Sequence, residues 1–181
     1  MLPKRVNYGC GPHLIPGWLN VDIAGPHIKE ELLLGTTFVD LAHCHPFPDE
    51  WFEWGYSQDF VPRLSQQEAI LFLYECYRTF QVGGVLRLSF PSLAGVMRHY
   101  LSDADSGNVE YGIWAGYDQW RMKCYWSEAG LREVAEHIGF SVRTESYGVS
   151  DHTELARIDT RAHQKLINLY MELTKENPDD R

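Results

Sequence analysis

The chain's 181 residues carry a formal net charge of −9, which disfavours a broad grip on nucleic acid, since that needs clustered Lys and Arg against phosphates. Its 44% hydrophobic and 23% charged residues exclude general disorder and suit one globular domain, residues 1–181, with its own core. No apolar run reaches the length of a bilayer span and no signal pattern opens the chain, so a cytoplasmic protein without a membrane partner is expected.

Residues 5–8 read as a first strand and residues 18–23 as a second. Between them Gly9-Cys10-Gly11-Pro12 makes a tight turn, in which two residues lacking Cβ let the backbone bend and a ligand come close. Asp22 ends the second strand, where a parallel sheet offers a carboxylate to ribose hydroxyls. The connection is too short for a crossover helix, so residues 10–16 must link parallel strands compactly. A short helix is predicted over 27–34. A third strand, β-branched and apolar, follows over 36–41 with Asp40 near its end. His43-Cys44-His45 is spaced too tightly for the usual zinc patterns, and Cys10, Cys44, Cys76 and Cys124 show no paired spacing. A polar loop, reduced thiols and no metal are expected.

The fourth strand, over 54–57, delivers Gln58-Asp59-Phe60 at its carboxyl end, where open α/β sheets bind ligands. Ser65 and Glu68 have the spacing of a capping box, followed by Ala69, Leu73, Cys76, Tyr77 and Phe80 on one helical face. Gly83-Gly84 reads as the end of that helix and 85–91 as a fifth strand. Residues 93–101 read as helical and 102–116 as a loop-rich insertion. Tyr111, Trp114, Tyr117, Trp120, Tyr125 and Trp126 fit either a lid over an acceptor pocket, spanning 102–126, or ordinary core. An amphipathic helix is predicted over 127–138, with Leu131, Val134, Ala135 and Ile138 inward and Gly139 as its stop. Residues 140–147, and the alternating Ile167, Leu169, Met171 and Leu173, read as strands.

Three pieces of this pattern, Gly9 to Pro12, Pro16-Gly17-Trp18 and Asn20-Val21-Asp22, together resemble the cofactor motif of small class I S-adenosylmethionine (SAM) dependent methyltransferases of the type 11-like group. Pro46-Phe47-Pro48-Asp49 and Ser150-Asp151-His152 also resemble segments of that family. The resemblance implies an α/β, Rossmann-like, mostly parallel seven-stranded sheet with an antiparallel last strand and trimmed helices between the first strands. It implies SAM as cofactor: Gly9, Cys10 and Gly11 toward the methionyl portion, Asp22 and Ile23 at the ribose, Asp40 and Leu41 at the adenine, and Gln58 near the methyl. Asp40 has a second reading, as a strand-end acid capping a turn. The chain departs from the family at Glu53, at His45 in place of Leu, and at Pro62-Arg63 in place of Glu-His.

Methyl transfer from a sulfonium needs orientation and exclusion of water more than acid/base machinery. A hydroxyl or amine acceptor would gain from a positioned base, for which Asp59 and His152 are the candidates and His99 a third. Cys10 lacks the partners of a nucleophile. The expected function is methyl transfer to a small-molecule or sugar acceptor. The alternative is a SAM-binding or degenerate relative acting as an interaction module, motivated by Pro62-Arg63. A nicotinamide oxidoreductase fits less well, because the glycine loop is shorter than Gly-x-Gly-x-x-Gly.

Overall fold

Val6, Asn7 and Tyr8 are all buried, as a strand covered on both faces requires. They form β1 (Arg5–Tyr8), which pairs in parallel with β2 (Leu19–Asp22) on one side and β4 (Phe52–Gln58) on the other. The computed structural model describes residues 2–23, 34–101 and 107–177. β3 is only Thr37–Phe38, shorter than the predicted strand, and the helix expected at 27–34 lies almost wholly outside the described residues.

The sheet has seven strands in the order β3-β2-β1-β4-β5-β7-β6, where β5 is Phe80–Pro91, β6 is Phe140–Thr144 and β7 is Asn168–Lys175. β7 runs antiparallel to both of its neighbours and the other pairings are parallel, as the family resemblance implied. The link from β1 to β2 holds no helix, so the trimming there is real.

α1 (Gln66–Thr79) starts in the expected capping box, with Ser65 accepting from the Glu68 N–H and Glu68 from the Ser65 N–H. Its buried stripe is Ala69, Phe72, Leu73 and Cys76, the i, i+3, i+4, i+7 rhythm of a helix lying on a sheet. Phe80 does not continue that stripe, because the helix ends at Thr79 and Phe80 opens β5. Gly83-Gly84 is therefore not a helix stop. It sits within β5 where the register against β4 shifts between Phe52 and Trp54. α2 (Leu93–Leu101) is as predicted, but 107–118 is not a loop: it forms α3 (Gly107–Asp118). α4 (Glu128–Ile138) is capped by Ser127 and stopped by Gly139 at φ +130°.

The two faces of the sheet are covered differently. One face packs Val6, Leu86, Leu88, Met171 and Leu173 against α1 and α4 in the main core. On the other, Tyr56 and Val85 meet Leu155 and Ile158, which come from the irregular segment 146–161 and not from a helix. That segment is tied down by a buried ionic knot. Arg87 of β5 is 0% exposed and holds Asp159 and Glu172 through its guanidinium. A strand residue thus anchors a loop whose end reaches the site.

Candidate functional site

The carboxyl ends of β1, β2 and β4, with the segment after β3, open onto a cleft of about 690 Å³, within the size range of small-ligand sites. Gly9, Cys10, Gly11, Asp22, Ile23, Asp40, Leu41, Gln58 and Asp59 all line it. His152 does not: its ring lies against Trp54, with ring centroids 5.1 Å apart, near the start of β4 and away from the carboxyl end. His99 is also absent from the lining and stacks edge-on with Tyr100. None of the six aromatics of the 102–126 stretch reaches the cleft; Trp126 is buried in the main core.

The glycine turn divides its labour in a way the sequence does not reveal. Gly9 has φ +63°, and a Cβ there would lie 2.5 Å from Phe60 Cγ, so the close approach at Gly9 is taken by the protein's own ring. Gly11 has φ +49° and a Cβ there would meet nothing within 4 Å, so its open face is the one presented to a ligand. The loop N–H groups are engaged internally. Cys10 donates to the Val21 carbonyl at 3.0 Å and Gly11 to Asp22 Oδ2 at 2.6 Å. What the turn offers is therefore bare backbone surface more than free donors.

Asp22 is 7% exposed, and its other oxygen accepts from the Ile23 N–H at 2.7 Å. These bonds fix the carboxylate at the cleft wall. Asp40 accepts from the Ala42 N–H at 3.0 Å and pairs with His43 Nδ1 at 2.9 Å, so it caps the following turn and lines the cleft at once. His45, two residues on, has a different fate. It is buried among Tyr8, Phe47 and Phe72, and burial pulls its pKa down to about 4. Among the described residues no group of three His, Cys, Asp or Glu could hold a metal ion. Cys10 is also held inert, its thiol pushed up to about 11 by burial and by the nearby Asp22 carboxylate.

At the far end Gln58 accepts from Thr160 Oγ1 at 2.8 Å. Asp59 has φ +56°, a left-handed backbone that a non-glycine residue holds only where its surroundings impose it. Its amide donates to the Ser89 carbonyl at 2.8 Å, which supplies part of that constraint. Both carboxylate oxygens are shielded from solvent, with Arg161 Nη1 2.5 Å from Oδ2. Burial raises the Asp59 pKa against the opposing pull of Arg161, Arg63 and His163. A base so covered reaches no acceptor unless Arg161 moves.

Arg161, Thr160, Tyr56 and His13 also line the cleft and were not found from the sequence. Residues 159–161 carry no motif, and Thr160 meets Gln58 only because the chain returns after 102 residues. His13 is held low by burial and by the nearby Arg161.

No protein-family model matches the chain, and no curated protein matches it. Solved structures do. A chain of the complex between the Haloferax volcanii Trm112 methyltransferase activator and its methyltransferase has TM-score 0.65 and 16% identity, covering 96% of this chain and 82% of that one. A SAM-dependent methyltransferase from Archaeoglobus fulgidus has TM-score 0.61 and 16% identity, over 94% and 85%. Another from Methanosarcina mazei has TM-score 0.61 and 13% identity, over 95% and 92%. The chain thus has the class I SAM-dependent methyltransferase fold. At these identities the likeness speaks for architecture.

Proposed function

We propose that this protein is a SAM-dependent methyltransferase acting on a small-molecule or sugar acceptor. The observation that carries the reading is the meeting of Asp22 and Asp40 on the wall of one cleft, beside a Gly11 whose Cα face is open. The residues present fit the cofactor. Asp22 would accept from the ribose hydroxyls, Asp40 and Leu41 would flank the adenine, Ile23 would cover the ribose, and the turn at 9–11 would give the methionyl portion close access to backbone. SAM supplies a methyl group already activated by a sulfonium charge.

The chain's own part is orientation. Asp22 is pinned by the Gly11 and Ile23 amides, and a carboxylate so fixed would hold the ribose end in one register. Gln58, held by Thr160, and Phe60, packed under Gly9, present a fixed wall to the reacting end. Such positioning is what in-line displacement asks of an enzyme. No general base is required when the acceptor is already deprotonated, and the covered Asp59 carboxylate suits that case. Among the described residues no helix is long and apolar enough to cross a membrane.

S-adenosylhomocysteine (SAH) binding tests the reading. At one hundred times its dissociation constant SAH stabilises the wild type by about 2.7 kcal/mol. NAD gives no shift, and Asp22→Ala loses at least tenfold in SAH affinity. Methyl release with acceptor pools from cell extract separates an enzyme from a SAM-binding interaction module. Absence of any SAH shift in the wild type refutes both.

A further inference from the structure

The far end of the cleft carries charge that binding an adenosyl group does not use. Arg63 closes the short 3-10 turn Val61–Arg63 after β4, at the Pro62-Arg63 departure from the family pattern. The side chain is exposed, and its Nε donates to the Asp59 carbonyl at 3.1 Å, while Nη1 and Nη2 have no protein partner among the described residues. Arg161 comes from the irregular segment 146–161 and meets the same Asp59. Its Nη1 pairs with Asp59, and its Nε and Nη2 have no hydrogen bond among the described residues. Both arginines line the cleft, and the Arg161 side chain is 30% exposed.

The charge balance there is positive. Lys123 also lines the cleft but is neutralised by Glu68 at 2.8 Å. Arg63 and Arg161 together face the single carboxylate of Asp59. His13 and His163 are close enough to feel or add to this field, His13 through Arg161 and His163 at Asp59. A surplus cation in a concave site, with Arg63 exposed at its mouth and Arg161 half-buried, belongs to a protein whose net charge is −9, so it is not the overspill of a basic surface. Two forks with spare paired N–H groups match an oxyanion in geometry as well as in sign.

We propose that the methyl acceptor is an anion, and that its carboxylate or phosphate group is clasped between Arg63 and Arg161. Asp59 holds Arg161 for this purpose; its shielded oxygens act on the guanidinium and not on the acceptor. The inference rests on the methyltransferase reading and adds the class of substrate to it.

The test uses the SAH-bound protein, titrated with inorganic phosphate and with acetate at constant ionic strength against chloride. One of the two anions raises the melting temperature of the wild type, and Arg63→Gln and Arg161→Gln each weaken that response at least tenfold in midpoint concentration. SAH affinity in both variants stays within twofold of wild type. In parallel, methyl-labelled SAM is supplied with cell-extract acceptors separated on an anion-exchange resin. Label enters the retained fraction, and each variant lowers kcat/KM on it by tenfold or more.

Label confined to the unretained fraction overturns the proposal while leaving the methyltransferase reading intact. So does a wild type with no response to either anion. A tenfold loss of SAH affinity in the arginine variants also overturns it, because the guanidinium groups then serve the methionyl carboxylate of the cofactor. A wild type that neither binds SAH nor labels any fraction overturns the underlying reading.

Discussion

Arg87→Met is the sharpest test of how the cleft's far wall is held. All five guanidinium donors of Arg87 are used: Nε on Asp159 Oδ1 at 3.1 Å, Nη1 on Glu172 at 2.8 Å and the Val149 carbonyl at 2.9 Å, Nη2 on Asp159 Oδ2 at 2.6 Å and the Ser146 carbonyl at 2.9 Å. Burial alone would lower the Arg87 pKa, and the two carboxylates more than offset it. Methionine keeps most of the volume but leaves two carboxylates and two carbonyls buried without their partner. Breaking a buried pair from one side costs about 3–5 kcal/mol. For a domain of this size that lowers the melting temperature by roughly 6–20 °C.

Glu172→Gln is the control. The knot holds one cation against two carboxylates, and Glu172 Oε2 has no hydrogen-bond partner in it. Removing that surplus charge while keeping an acceptor oxygen changes stability by no more than about 1 kcal/mol. Scanning calorimetry measures both. If Arg87→Met melts within about 2 °C of wild type, or Glu172→Gln falls as far as Arg87→Met, the knot does not anchor segment 146–161 as argued.

Gly9→Ala and Gly11→Ala should fail differently. Gly9→Ala drives a methyl group into Phe60 at positive φ and costs about 2 kcal/mol or more in urea unfolding, whereas Gly11→Ala costs about 1 kcal/mol and shows mainly as weaker SAH binding by calorimetry. Equal stability losses would refute that division. His45 gives a pH signature. Its folded pKa of about 4 lies below the usual 6.5, so the unfolded chain binds the proton first and stability falls as pH drops from 6.5 toward 4. By about pH 4.5 this amounts to about 2 kcal/mol. His45→Leu removes that limb, and urea midpoints at pH 7 and 4.5 that drop equally in both proteins would contradict it.

The strands and the bend that frame the cleft were legible because their signals are local. A short strand, a Gly-x-Gly bend and an acid ending the second strand each depend on neighbours a few residues away, and β1 falls at 5–8 as read. Two of the misreadings fall where glycine serves packing as well as turning. Residues 102–116 read as loop-rich, yet 107–118 is helical and holds Gly112 and Gly116. In α3 their missing side chains admit the rings of Tyr100 and Tyr125, and that contact offsets the low helix propensity. Gly84 looked like a helix stop, yet a Cβ there would lie 2.8 Å from the Phe52 carbonyl in the irregular β4–β5 pairing. His152 was placed by motif likeness, but its ring found Trp54. The Arg161 wall was out of reach altogether, since Arg87 and Asp159 stand 72 residues apart and only the folded sheet brings them together.

β7 is translated after β6 but occupies the slot between β6 and β5. As the polypeptide leaves the ribosome, β6 has no neighbour to zip to until residues 168–175 arrive, and β5 shows one naked rim. Glu172 arrives with that same segment, so Arg87 waits for its second counter-ion until then. A product truncated between β6 and β7, whether by a stop codon or by stalled synthesis, presents the open rim of β5 and an unpaired β6 to chaperones, proteases and its own neighbours.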